Sequence, residues 1–185
     1  MQKNNPWKKI SSKIVYKNPW LQLREDDVIR PDGSPGIYSV LEIGTSVGIV
    51  AVNENDQIIL VGQWRYVHDK YSWEIPTGGI KDKKALPIEV AKRELKEETG
   101  LIAGNWVTLG TIDNSNGATD DVAHLFFATN LEQTEKELEP TEDITTKWIL
   151  FEDALKMVLE GQITESCSVA SILKVSMIRN SKTEP

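Results

Sequence analysis

Residues 78–101 read GGIKDKKALPIEVAKRELKEETGL. Leu86–Thr99 has the marks of a helix: Pro87 suits its first turn, Ile88, Ala91 and Leu95 make an apolar stripe, and Gly100 supplies the stop. Glu94, Glu97 and Glu98 lie on it at i, i+3 and i+4, a spacing that shares one face, with Ile88, Ala91 and Leu95 expected on the other. Like charges so placed cost roughly 0.2–0.5 kcal/mol per pair unless something balances them. Arg93, one turn from both Glu89 and Glu97, can orient one carboxylate, but one guanidinium does not neutralise three. A divalent cation does. All-oxygen ligands select Mg²⁺ or Mn²⁺ over Zn²⁺, and Mg²⁺ completes its shell with waters and substrate phosphates, so the chemistry indicated is metal-assisted attack of water on phosphorus. The plainer alternative is a solvated acidic face, the usual condition of a Glu-rich helix. Against it stand the Gly78-Gly79 turn before the helix, the fixed spacing from Gly79 to Arg93, and the Gly100-Leu101 closure.

Upstream, from Lys13 to Val52, β-branched and aromatic residues alternate with polar ones (KIVYK, WLQLREDDVI, IYSVLEI, VGIVAV), interrupted by the turn PDGSPG at residues 31–36. This predicts a small antiparallel sheet. NENDQ at 53–57 reads as a hairpin turn between VGIVAV and IILVGQW, and YSWEIP adds another strand. Downstream come the strands WVTLGTI, DVAHLFFATNL and ITTKWILF, the last two joined by the acidic EQTEKELEPTED. FEDALKMVLEG is then an amphipathic helix, and SVASILKVSMI a second behind a Ser cap. There are no internal repeats and no low-complexity linker.

The bulk numbers narrow the function. A chain of 185 residues holds one core of moderate size. Its net charge of −7, with no dense basic stripe, disfavours a nucleic-acid binder. Cys167 is the single cysteine, so no internal disulfide forms and a reducing compartment fits. The amino terminus carries lysines with no apolar run behind them, so the expectation is a cytoplasmic protein with no membrane span.

The central segment resembles the Nudix box, G-x5-E-x7-R-E-U-x-E-E-x-G-U with U a bulky aliphatic residue. Gly79, Arg93, Glu94, Leu95, Glu97, Glu98, Gly100 and Leu101 match in register, while the first Glu of the pattern falls on Ala85. That departure touches the bracing of the loop more than the metal ligands, and Glu89 is the candidate to take over part of the orienting role. The resemblance covers about residues 13 to 178 and points to pyrophosphatases of ADP-ribose and nucleoside diphosphate sugars. Trp20, Pro31-Asp32-Gly33, Gln63-Trp64-Arg65, Glu74-Ile75-Pro76, Thr119-Asp120-Asp121 with HLFFA, and Glu142-Asp143-Ile144 carry it. It implies an α+β Nudix fold: an α/β/α sandwich with a mixed central sheet plus an N-terminal antiparallel β-sheet annex. It also implies a dimerisation region at residues 1–45 and a hydrolase domain, one structural unit, at residues 46–185.

The same resemblance implies roles. Glu94 and Glu98 ligate Mg²⁺, for which Mn²⁺ can substitute; Glu97 is a further ligand or lies close to the metal, and the backbone carbonyl of Gly79 or Gly78 completes the site. Glu142, in the acidic loop, is the carboxylate that binds an additional metal or activates water, with Glu139 the alternative and Pro140 where some relatives carry another Glu. For both, a solvated loop is the competing reading. Arg65, at a strand end near the metals, grips a diphosphate, unless it forms only a surface salt bridge, and Glu74 is a further substrate-binding residue. Trp20 and Tyr38 sandwich a nucleobase across a dimer interface, unless they only pack their sheet. His124 reads as a strand residue.

The expected activity is Mg²⁺-dependent hydrolysis of a nucleoside diphosphate sugar, of ADP-ribose or GDP-mannose type, to a nucleoside monophosphate and a sugar phosphate. A small-molecule substrate and a homodimer are the expected partners. Asn116 stands where ADP-ribose hydrolases usually carry Pro, which leaves the sugar open. The alternatives are a nucleotide-sensing domain without catalysis and a hydrolase of NADH, a dinucleoside polyphosphate or capped RNA.

Overall fold

The computed structural model describes residues 4–82, 84–138 and 143–181. Three antiparallel strands open the chain: β1 (Lys8–Lys17), β2 (Gln22–Ile29) and β3 (Pro35–Glu42), in the order β1-β2-β3. β1 starts five residues before the apolar alternation suggested; it is exposed along its whole length, and polar pairs tie it to β2. Ser11 Oγ donates to Asp27 at 2.5 Å, Ser12 Oγ to Asp26 at 2.5 Å, and Lys13 pairs with Glu25 at 2.8 Å. The turn at Pro31–Gly36 closes where expected, with Gly33 at φ 85, a left-handed value that a side chain would strain. This sheet forms one compact unit, residues 1–45 together with 113–122; residues 46–112 and 123–185 form the other.

In the larger unit the layers follow from strand alternation. β4 (Thr45–Ala51), β5 (Gln57–Arg65) and β9 (Val122–Gln133) send successive side chains to opposite faces. Val47, Ile49, Ala51, Ile59, Phe126 and Ala128 form one core with Val90, Ala91 and Leu95 of α1 (Pro87–Thr99). Val50, Ile58, Leu60 and Leu125 form the other, with Phe151 and Ala154 of α2 (Phe151–Leu159) and with Cys167, Ile172 and Val175 of α3 (Ser166–Asn180). One helix covers one face and two cover the other, the α/β/α layering that the sequence led one to expect. Each fully buried aliphatic or aromatic side chain of these cores contributes roughly 1.5–3 kcal/mol.

The strands divide into two sheets, β10-β5-β6 and β7-β4-β9-β8, with β6 at Lys70–Glu74, β7 at Thr77–Gly79, β8 at Leu101–Asp113 and β10 at Thr145–Leu150. The three-residue β7 lies beyond what a periodicity reading finds. α1 starts at Pro87 and ends at Gly100, at φ 73, whose N–H reaches the Lys96 carbonyl at 2.8 Å. The expected Ser cap of α3 is corrected: Glu165 caps it, its two carboxylate oxygens accepting from Cys167 N at 2.8 Å and Ser168 N at 2.7 Å. A carboxylate satisfies two of the helix's orphan N–H groups at once, which one hydroxyl does not. Among the described residues no helix is long and apolar enough to cross a membrane.

Candidate active site

The chain passes from β6 to β7, hence from one sheet to the other, through Ile75-Pro76. β7 then pairs antiparallel with β4, Gly48 opposite Thr77 and Ser46 opposite Gly79. α1 lies against this strand. The Thr77 N–H donates to Glu98 Oε2 at 3.1 Å. Gly78 leaves room for Glu94: a Cβ built on it would fall 2.0 Å from the Glu94 carboxyl carbon. At Gly79 an added Cβ would meet nothing within 4 Å.

Glu94 is 9% exposed and Glu98 4% exposed, so the picture of three carboxylates opposite the apolar stripe needs correction. With about 100° between successive helix residues, Glu98 falls beside Ala91, and Glu94 between Val90 and Glu98. The two carboxylates therefore belong to the buried arc, with Val90, Ala91 and Leu95. Glu97 lies at its border, where Arg93 holds it: Arg93 Nη1 donates to Glu97 and Nη2 to Glu94, both at 2.5 Å. Burial pulls the Arg93 guanidinium down, but its bonds to Glu97 and Glu94 outweigh that and hold it above the usual arginine value. Glu89 pairs with Lys92 at 2.8 Å and Ala85 packs against the core around α1, so Glu97 and Glu94 are what orient Arg93.

Arg65 and Glu74 form a fork. Arg65 Nε donates to Glu74 Oε1 at 2.9 Å and Nη2 to Oε2, with Glu74 buried and the guanidinium part-exposed. The hydrogen bonds to Glu74 raise the Arg65 value most; burial opposes them, and the charges of Glu165 and Glu98 add to them. Arg65 and Glu74 open onto a cleft of about 800 Å³, also lined by Trp64, Ser72, Thr164 and Glu165. Glu165 escaped the sequence reading; its signal was a carboxylate three residues before a Ser on an apolar helix.

In the N-terminal unit, Trp20 is 80% exposed. Tyr38 packs edge-on against Trp7, ring centroids 5.3 Å apart, and its hydroxyl donates to the Gly117 carbonyl at 2.8 Å. Asp120 caps the end of β3, accepting from Ile43 N at 2.8 Å and Gly44 N at 3.1 Å. His124 is part-buried within β9. Glu139 and Glu142 lie outside the described residues.

The donor chemistry suits a hard cation. Glu94 and Glu98 offer carboxylate oxygens beside the Gly78-Gly79 backbone, and one or two carboxylates with waters and substrate phosphates are the usual Mg²⁺ complement. Among the described residues no three acidic, His or Cys side chains converge as a ready-made cage, consistent with Glu97 being held by Arg93.

Two family models match: the nucleoside diphosphate sugar hydrolase N-terminal domain over residues 7–41 and the NUDIX domain over residues 43–165. The chain is 32% identical, over 95% of its length and 86% of the relative's, to an ADP-ribose pyrophosphatase of Mycobacterium tuberculosis. It is 29% identical, over 89% of its length and 90% of the relative's, to an ADP-ribose pyrophosphatase of Bacillus subtilis. A crystal structure of an ADP compounds hydrolase superposes with a TM-score of 0.86 over 99% of both chains at 17% identity, a likeness of fold. With the box in register and its helix seated on the Gly-Gly strand, this chain belongs to the Nudix family.

Proposed function

We propose that this protein hydrolyses the diphosphate of a nucleoside diphosphate sugar, of the ADP-ribose or GDP-mannose type, releasing a nucleoside monophosphate and a sugar phosphate. The observation that carries the reading is the pair of buried carboxylates, Glu94 and Glu98, set against Gly78-Gly79. Arg93 and the Thr77 N–H offset part of the cost of burying two like charges so close together, and a divalent cation with a bound diphosphate would supply further compensation together with the substrate. Family membership and relatives named as ADP-ribose pyrophosphatases support the same class.

In this reading Glu94, Glu98 and the Gly79 carbonyl hold Mg²⁺, or Mn²⁺ in its place, and Glu97 with Arg93 keeps Glu94 in position beside it. The cation, when bound, polarises the diphosphate and eases deprotonation of the attacking water. The exposed side of the Arg65 guanidinium, fixed by Glu74, takes the diphosphate oxygens. The water oxygen bonds to phosphorus, the bridging P–O bond breaks, and a carboxylate of the acidic loop, Glu142 or Glu139, accepts the water's proton. Trp20 stacks the nucleobase, with Tyr38 and its partner Trp7 behind, across a dimer formed through residues 1–45. The exposed apolar side chains of that sheet, Ile10, Ile14, Val15, Tyr16 and Ile37, suit such an interface.

Incubation with Mg²⁺ and a panel of ADP-ribose, GDP-mannose, UDP-glucose, NADH and a dinucleoside polyphosphate tests the assignment. Release of a nucleoside monophosphate and a sugar phosphate from one of the first three is expected. Tight nucleotide binding without turnover of any compound would make the protein a sensor instead.

A further inference from the structure

The crossover Ile75-Pro76 has a single backbone donor, because Pro76 carries no N–H. Val61–Glu74 is the last pair of β5 with β6, so the Ile75 N–H has no strand partner, and Ile75 is fully buried. The Ser168 hydroxyl of α3, itself fully buried, accepts that N–H at 3.0 Å. Its own proton goes to Glu165 Oε2 at 2.7 Å, so Glu165, already the cap of α3, fixes the direction of the hydroxyl. The next N–H along the chain, that of Thr77, is taken from the opposite layer by Glu98 of α1. Two successive donors of one crossover are thus held by side chains of helices on opposite faces of the sandwich, and Gly78-Gly79 follow directly.

We propose that Ser168, oriented by Glu165, is a positioning residue for the cation site. By holding Ile75 it sets the height of the strand that presents the Thr77 N–H to Glu98 and the Gly79 carbonyl to the cation. This rests on the assignment of Glu94, Glu98 and Gly79 as the cation site. Outer partners of that kind change metal affinity or activity by about 10- to 100-fold when removed. Ser171 provides the internal control: it lies on the same helix, is equally buried, and its hydroxyl has no hydrogen-bond partner among the described residues.

The test uses the full chain and Mn²⁺ as probe, with binding read by water-proton relaxation and, separately, the Mg²⁺ concentration for half-maximal turnover. Ser168→Cys keeps the shape with a somewhat larger atom and gives up the strong acceptor; Ser168→Ala, which adds no bulk, is the second variant. Roughly tenfold weaker Mn²⁺ binding and a matching rise in the Mg²⁺ requirement are expected, with KM for the nucleotide sugar at saturating Mg²⁺ unchanged and Ser171→Ala like wild type. Wild-type Mn²⁺ binding by whichever Ser168 variant folds overturns the proposal, as does a rise in KM alone. If wild type itself neither binds Mn²⁺ nor hydrolyses any compound of the panel, the cation-site assignment falls and the positioning role with it.

Discussion

The N-terminal sheet and the sandwich place several of their carboxylates in different circumstances, Asp26 being an exception, buried in β2 between Ser12 and Arg24. On β1 and β2, Asp27 and Glu25 meet Ser11 and Lys13 on a strand that is exposed from end to end. In the sandwich, Glu74, Glu94 and Glu98 are all buried, each tied to a neighbour by a specific bond. Exposed pairs of the first kind are worth little because water and salt screen them, whereas a buried carboxylate that loses its partner keeps its full desolvation cost. The exposed acidic residues of the first region therefore add little to stability, whereas the buried ones of the second are those assigned roles in the proposed function.

Substitutions can break or sharpen that contrast. The largest stability loss is expected away from any charge, at Phe151→Ala. This fully buried ring anchors α2 and lies 4.5 Å from the Arg179 guanidinium, and its loss should lower the unfolding free energy in urea by about 3–5 kcal/mol. Glu98→Gln should cut turnover at least about 100-fold, because it removes a proposed cation ligand. Its urea midpoint should stay near wild type, since an amide oxygen still accepts the Thr77 N–H; normal turnover would take α1 out of the chemistry.

Arg65→Ala leaves Glu74 buried without its fork and should cost about 2–3 kcal/mol, less than a fully buried pair because the guanidinium is part-exposed. Adding Glu74→Gln to it should recover part of that loss in the same urea titration. At the other end, Lys13→Ala removes only an exposed partner of Glu25 and should leave the midpoint unchanged. A clear destabilisation there would show that the N-terminal sheet depends on its surface charges after all.

What could be read in advance differs between these regions for physical reasons. α1 was legible because proline and glycine mark its ends and the box fixes its register. Its burial was misjudged, since three Glu residues look like a solvated face until the 3.6-residue repeat is followed around to Ala91. The strands of the sandwich announced themselves by alternation, but β7 is three residues long, two of them glycine, and has no pattern to detect. The Glu165–Ser168–Ile75 connection was hidden because it joins residues 93 positions apart through one hydroxyl, and neither residue type signals such a contact.

Gly78 is glycine for want of space, since its backbone lies outside the left-handed region while the Glu94 carboxylate occupies the volume of a Cβ. A methyl group at that position would push the Glu94 carboxylate, the far end of a flexible side chain, away from the strand, so Gly78 sets how near that carboxylate can stand to the backbone.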